Sequence, residues 1–259
     1  MIARQQDGLF YFQFPRLCGF PELVHAVFTR HAGFSQPPFA SLNVTNGIGD
    51  DSDAVAKNRK LIARSLDCGR LAFTRQNHGC EVVVLDGNRR SGGATAERVP
   101  RLGDALVTNL KKRCLVIQVA DCQSVILYDP EAGAIANIHA GWRGSVQNIV
   151  GRTVETMVTR FGCRPEHIVA GIGPSLGPCC AEFVNYRNEI PPQLWSFKDD
   201  RDHFDFWAIS ADQLEACGVK RKHIDTGRIC TKCNSDLFFS YRGEGTTGRF
   251  ASVVGLRSN

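Results

Sequence analysis

A chain of 259 residues, 43% hydrophobic and 22% charged, can bury a full core and fits one large domain as well as two small ones. Its formal net charge of +5 suits small anionic ligands and is too weak to argue for nucleic acid. No apolar run approaches the roughly 20 residues of a membrane span. The first residues lack the apolar core of a signal peptide. The eleven cysteines therefore read as reduced thiols of a cytoplasmic protein, most of them small core residues.

Residues 26–30 predict a strand, and residues 31–38 form a loop rich in Gly, Ser and Pro. Asp50, Asp51, Ser52 and Asp53 supply capping side chains and negative charge for a helix reaching Leu66. Val55, Leu61, Ile62 and Leu66 mark its inner side, and pattern alone assigns Arg59 to a solvated face. Strand character returns at residues 71–73 and 81–85, which sets His78 at a strand edge beside Gly79. Residues 87–100 are polar and Gly-rich, a mobile surface loop in this reading. Residues 104–109 and 114–119 are again strand-like, and Lys111, Lys112 and Arg113 between them read as a solvated turn.

Two apolar runs, 125–128 and 134–138, flank the turn chemistry of Asp129, Pro130, Glu131, Ala132 and Gly133. An antiparallel hairpin with a five-residue loop pairs Tyr128 with Ala134 and sets His139 opposite Gln123, one position from Cys122. Opposed residues in such a ladder have Cβ atoms about 4.5–5.5 Å apart, so a thiolate and an imidazole meet where the hairpin opens. A helix is expected over residues 145–160, stopped by Gly162, then a strand over 167–172 and a rigid loop to Cys180. A second helix is expected from Ser210, as its cap, to Cys217, and residues 249–254 read as a closing strand. Without a regular βαβ rhythm, these elements predict an α+β fold: a single domain over residues 1–259, a mixed β-sheet core with flanking helices.

Of seven histidines, His78 and His139 sit beside or near glycines at strand ends, and His139 has a cysteine opposite it. Two imidazoles and one thiolate suit a zinc ion with an open fourth position. A Cys–His nucleophile pair and ordinary packing remain as readings of the same residues. Cys230-Thr231-Lys232-Cys233 has no second pair at zinc-ribbon spacing and reads as reduced thiols near a turn, and Cys179-Cys180 offers less. Residues 243–248, flanked by Arg242 and Arg249, form a Gly-rich turn without the Lys-Ser/Thr of a P-loop.

Several motifs, in order along nearly the whole chain, resemble those of the YfiH/YlmD-like proteins, a family once described as laccase-domain or multicopper polyphenol oxidases and now regarded as purine nucleoside phosphorylases. They are Phe28-Thr29-Arg30-His31-Ala32-Gly33-Phe34-Ser35, Ser41-Leu42-Asn43, Asn58-Arg59 and Gln76-Asn77-His78-Gly79. They continue as Ala120-Asp121-Cys122, His139-Ala140-Gly141-Trp142-Arg143-Gly144, Gly173-Pro174, and Phe239-Ser240-Tyr241-Arg242 with Thr247-Gly248-Arg249. Gly243 stands where a second arginine is common in the family.

The resemblance implies that His78, Cys122 and His139 are at once the metal ligands and the catalytic centre, with Zn2+ as the cofactor. It implies phosphorolysis of adenosine, inosine or guanosine to the free base and ribose 1-phosphate, with adenosine deamination and methylthioadenosine cleavage beside it. Arg59, Arg242 and Arg249 are then the candidates for the anion and Asn43 for ribose or base, with Asp121 close enough to orient a ligand. The expected partners are purine nucleosides and phosphate, without nucleic acid or membrane, in a monomer or weak homodimer. A competing expectation makes Cys122 a nucleophile and His139 its base in a hydrolase of peptidoglycan precursors. Copper-dependent phenol oxidation needs more metal centres than three ligands with one cysteine can build, and a zinc-stabilised binding module would turn nothing over.

Overall fold

A computed structural model describes residues 1–87 and 100–257. Its strands form two six-stranded sheets. In the first, β1 (Ile2–Gln6), β2 (Leu9–Gln13), β3 (Leu23–Phe28), β12 (Phe250–Leu256), β7 (Arg113–Val119) and β4 (Arg70–Ala72) lie side by side in that order. In the second the order is β11 (Ile224–Thr226), β10 (Val169–Ile172), β8 (Gln123–Asp129), β9 (Ala134–Ala140), β6 (Ala105–Thr108) and β5 (Val82–Leu85). Neighbours are antiparallel except the parallel pairs β4/β7, β10/β11 and β5/β6, all of which involve an edge strand.

The sheets pack face to face. Every residue of β8, β9 and β12 is buried, which is why these strands are nearly continuous apolar runs rather than alternating ones. Ile126, Tyr128 and Ile135 from the second sheet meet Leu115, Ile117, Phe250 and Val254 from the first. The opposite faces are covered by helices. Helix α1 (Ser52–Ser65) lays Ile62 on the first sheet. Helices α3 (Ile149–Phe161) and α5 (Phe206–Ala216) lay Val150, Val154, Met157, Ala211 and Leu214 on the second. Apart from Ala211, each of these side chains contributes roughly 1.5–3 kcal/mol by leaving water. Among the described residues, three short α-helices complete the set: α2 (Trp142–Val146), α4 (Tyr186–Glu189) and α6 (Tyr241–Glu244). Between the sheets, the buried Asn137 amide of β9 donates to Leu115 O of β7 at 3.0 Å and Ser252 O of β12 at 2.9 Å. This polar rivet fixes the sliding position of one sheet on the other.

The α+β class with a mixed core and flanking helices is the architecture found, with two sheets where the strand pattern suggests one. The β8–β9 hairpin pairs Asp129 with Ala134 and Ser124 with His139, one position away from the predicted register. The buried Asp129 carboxylate caps the turn, accepting from Glu131 N at 2.9 Å and Ala132 N at 3.1 Å, so the strand extends through it. This correction matters because a one-residue slip turns every side chain to the other face. The true register sets Cys122 two residues from the partner of His139, on the inner face, whereas the predicted one separates them by the sheet. The helix expected over residues 145–160 is broken at Asn148, which takes a left-handed φ of 57° and caps α3 by accepting from Gly151 N. Helix α5 begins at Phe206, capped by Asp205 rather than Ser210. Strands β1 and β2 are additions to the expected elements; β1 exposes Ala3, Arg4, Gln5 and Gln6 and carries little apolar signal, while β2 buries Leu9 and Tyr11. Residues 88–99 of the proposed surface loop lie outside the described residues.

The cysteines correct a further expectation. Cys68 and Cys114 are joined in a disulfide that ties the end of α1 to β7. Of the nine free thiols, Cys163 and Cys230 are buried, while Cys18, Cys179 and Cys233 are exposed. They are not mainly core residues.

His25 is buried between the sheet and Phe14, with its Nε2 accepting from Phe14 N at 2.9 Å. Burial lowers its pKa from 6.5 to about 4. The unfolded chain therefore gains this proton first as pH falls, and the stabilisation present above pH 6.5 is lost toward pH 4. The loss is on the order of 3 kcal/mol. Urea unfolding at pH 7 and pH 4.5 will show a larger drop in midpoint for the native chain than for His25→Gln; equal drops would show that His25 is not the source.

Candidate active site

Where the inner layer of the sandwich ends, the structure brings together the three predicted ligands. The Nδ1 or Nε2 atoms of His78 and His139 and the Sγ of Cys122 all lie within 4.8 Å of one another. The two imidazoles meet edge to face with centroids 4.9 Å apart. His139 is buried at the end of β9, Cys122 is half-buried just before β8, and His78 is exposed on the turn between β4 and β5.

One residue that the sequence did not single out holds this group. The Asp104 carboxylate, fully buried at the start of β6, accepts from His78 N at 2.9 Å, Gly79 N at 2.9 Å and Asn77 N at 3.3 Å. It also meets His139 Nδ1 at 2.7 Å. Burial acts to raise the pKa of Asp104, but the His139 hydrogen bond and charge, with the backbone amides, hold it below the ordinary carboxylate range. Because Nδ1 is spent on Asp104, Nε2 of His139 is the nitrogen left for a ligand. The amides also fix His78 in a left-handed conformation, φ 61°, that a non-glycine residue seldom adopts. The only sequence signal for Asp104 is a carboxylate at the head of an otherwise apolar strand.

Burial opposes ionisation of Cys122, yet His139 and His78 overcome it and bring the thiol well below its usual pKa. His139 is raised correspondingly: burial lowers its pKa, but the Cys122 thiolate and the Asp104 carboxylate more than reverse that. The sulfur is thus poised as a thiolate, the form that binds metal.

The residues fit a metal ion in a second respect. A Cβ placed on Gly141 would lie 2.9 Å from His78 Cδ2 and 3.2 Å from Cys122 Sγ. Any side chain here would fill the space beside the ligand atoms. The donor set of two imidazoles and one thiolate suits zinc with an open position. Blue-copper centres share that donor set but most often add a long axial methionine, and neither methionine is at the site: Met157 is on the buried face of α3 and Met1 lies against Gly227.

The triad opens into a cavity of about 1060 Å³, large enough for a nucleoside with an anion beside it. Arg59, Arg242 and Arg249 all line it. Arg59 is not on a solvated face: its guanidinium stacks 4.2 Å from the Phe73 ring centroid and its Nε donates to Val44 O at 2.8 Å. Burial lowers the pKa of Arg59 and of Arg249, and Arg249 Nη1 donates to Thr247 O and Gly248 O at 2.9 Å each. Arg242 is more exposed, its Nη1 reaching Glu182 O at 3.3 Å. Trp142, Phe183, Phe206 and Tyr241 supply aromatic surface to the same cavity.

Asn43 is not brought to the cavity. Its buried Oδ1 accepts from Arg249 N at 2.9 Å and Thr45 N at 3.1 Å, and its Nδ2 donates to Asp50 Oδ2 and Thr45 O. It therefore positions the Arg249 backbone from behind the wall. Asp121, at the cavity's edge, spends both carboxylate oxygens on Thr231 Oγ1, Ser240 Oγ and Arg242 N. An acceptor so occupied anchors the neighbouring loops.

A family model described as multi-copper polyphenol oxidoreductase laccase matches residues 24–257. The purine nucleoside phosphorylase YlmD of Geobacillus stearothermophilus is 35% identical over 257 residues, covering 93% of each chain. A purine nucleoside phosphorylase of Streptomyces griseus is 38% identical over 247 residues, 90% of this chain and 94% of the relative. Among solved structures, YlmD of G. stearothermophilus superposes with a TM-score of 0.86 at 32% identity over 99% of both chains. The Bacillus licheniformis protein YfiH gives 0.82 at 30% identity over 91% of this chain and 93% of that one. With the match running through both sheets and every residue of the triad, the chain belongs to this laccase-described, YfiH/YlmD-like family.

Proposed function

We propose that this chain is a zinc-dependent purine nucleoside phosphorylase that cleaves adenosine, inosine or guanosine with phosphate, with adenosine deaminase and methylthioadenosine phosphorylase side activities. The observation that carries the reading is the convergence of the Asp104-held triad and three arginines on one aromatic-lined cavity. Relatives named purine nucleoside phosphorylase at 33–38% identity support the same reaction class.

In phosphorolysis a phosphate oxygen bonds to ribose C1′ as the C1′–N bond to the purine breaks, and the leaving base takes up a proton. Arg59, Arg242 and Arg249 are suited to hold the phosphate, guanidinium forks matching its oxygens. The partial burial of Arg59 and Arg249 strengthens that attraction relative to water. The faces of Phe183, Phe206 and Trp142 offer stacking surface for the base. His78, Cys122 and His139 would hold zinc, which when bound supplies a Lewis acid at the cavity wall. Asp104 keeps His139 in the tautomer whose Nε2 faces the site.

Release of hypoxanthine from inosine should require phosphate, disappear on chelation, return with added zinc and fall to background in His78→Ala. Full base release by metal-free protein would sink the proposal. Arg249→Gln should raise KM for phosphate more than it alters KM for nucleoside, read from initial rates with each substrate varied. Asp104→Asn should weaken zinc binding by about 10–100-fold, measured by competition with a chromogenic chelator. Gly141→Ala should lose the metal while keeping its circular dichroism spectrum, because its Cβ meets the ligand atoms; a fully loaded variant would show that the space beside them is not used.

The Cys122–His139–Asp104 alignment also favours a second reading, a thiol hydrolase acting on peptidoglycan precursors. Stoichiometric alkylation of Cys122 in zinc-loaded protein would select it, since a bound thiolate is shielded.

A further inference from the structure

Outside this site, a second group of side chains converges without any role in the chemistry above. Cys179 and Cys180 lie on the loop that follows β10, and Cys230 and Cys233 on the loop that follows β11. Their four sulfurs lie within 4.8 Å of one another. Cys233 Sγ is 3.6 Å from that of Cys179 and 3.5 Å from that of Cys180, across sequence separations of 54 and 53. These are not disulfide contacts, which require about 2.05 Å.

We propose that Cys179, Cys180, Cys230 and Cys233 form a closed, four-thiolate structural zinc site. Zn–S bonds of about 2.3 Å in a tetrahedron set neighbouring sulfurs about 3.8 Å apart, close to the spacing between Cys233 and its two partners. A cluster of several irons also takes four cysteines, but its core is larger than one ion and would need the sulfurs splayed farther apart. Sulfur donors with tetrahedral spacing point to zinc among the common single ions.

The backbone around the group has the form such a site needs. The two loops are already in register: Ser175 N donates to Ile229 O at 3.2 Å and Thr231 N to Ser175 O at 3.0 Å. Gly177 permits the close approach, since a Cβ there would lie 3.0 Å from that of Cys230 and 2.6 Å from the Trp207 ring. Apolar packing does not account for the convergence, because Cys179 and Cys233 are exposed and only Cys230 is buried. Apart from Cys122 of the triad, the other free thiols, Cys18, Cys80, Cys163 and Cys217, belong to no such group among the described residues.

An ion here would clamp two loops that shape the cavity. Ser175 and Leu176 line it, and Thr231 Oγ1 donates to Asp121 beside Cys122 at 2.6 Å. Zinc binding would release the thiol protons to solvent and add a cross-link between the loops that follow β10 and β11. Its role is thus structural and independent of what the His78–Cys122–His139 centre catalyses.

Metal analysis of the full chain, purified from zinc-supplemented cells, tests this. The native protein should hold two zinc ions per chain. His78→Ala should retain one, Cys233→Ser should retain one, and the double variant none. Cobalt loaded into His78→Ala should give the intense thiolate-to-metal charge-transfer absorption of a tetrahedral four-sulfur site. That spectrum decides the matter even if Cys233→Ser fails to fold, because all four cysteines are intact. A folded His78→Ala free of metal, an unchanged zinc content in Cys233→Ser, iron in place of zinc, or a disulfide from Cys233 to Cys179 or Cys180 in freshly purified protein would each overturn the proposal.

Discussion

The geometry of the candidate centre depends on one buried carboxylate. Moving a charged carboxylate out of water is costly unless hydrogen bonds replace the lost solvation. Asp104 obtains them from three consecutive amides, Asn77, His78 and Gly79, and from the His139 ring. The same bonds impose geometry on their donors. The turn carrying His78 is drawn to the head of β6, and His139 on the adjacent β9 is turned so that its free nitrogen faces Cys122. The strained φ of His78 and the tautomer of His139 are thus two results of one interaction.

That dependence explains what can be read from the sequence. The apolar runs of β6, β7, β8, β9 and β12 announce themselves, because strands buried on both faces leave no ambiguity about where the core is. Cys122 and His139 are legible as a pair, though through a register that would put them on opposite faces. Asp129 continues the strand instead of opening the turn, and a buried capping carboxylate looks the same in sequence as an exposed one. Asp104 is silent for a similar reason: it is 26 residues from His78 and 35 from His139, so only the pairing of β6 with β9 reveals what it holds. The four cysteines of the second group read as separate pairs because their loops are far apart along the chain.

The arginines illustrate the difference between a motif residue and a contact residue. Asn43 and Arg249 belong to separate motifs, yet Asn43 accepts from the Arg249 amide, so one supports the other from behind. Arg59 looks like a surface residue on a helical wheel. Its helix lies over the first sheet, and the side chain passes over Phe73 to the cavity, where stacking and the Val44 carbonyl hold it. A guanidinium restrained in this way loses less entropy on meeting an anion than a free one. The cavity is therefore lined by two restrained guanidinium groups, those of Arg59 and Arg249, as well as by the triad.

The triad could in principle serve a thiolate nucleophile, and the balance between that use and metal binding turns on His78. A nucleophile needs a base and a group to orient the base, which His139 and Asp104 already provide. Nothing in that scheme calls for a second imidazole within 4.8 Å of the sulfur. Yet the fold invests most of Asp104's hydrogen bonds in the turn that delivers His78, and keeps residue 141 free of a Cβ so that His78 and Cys122 can approach. Both features are without purpose for a cysteine hydrolase, and both are required if three side chains must converge on one point. The arrangement of Asp104 and Gly141 around His78 is therefore the stronger argument for a metal ligand set.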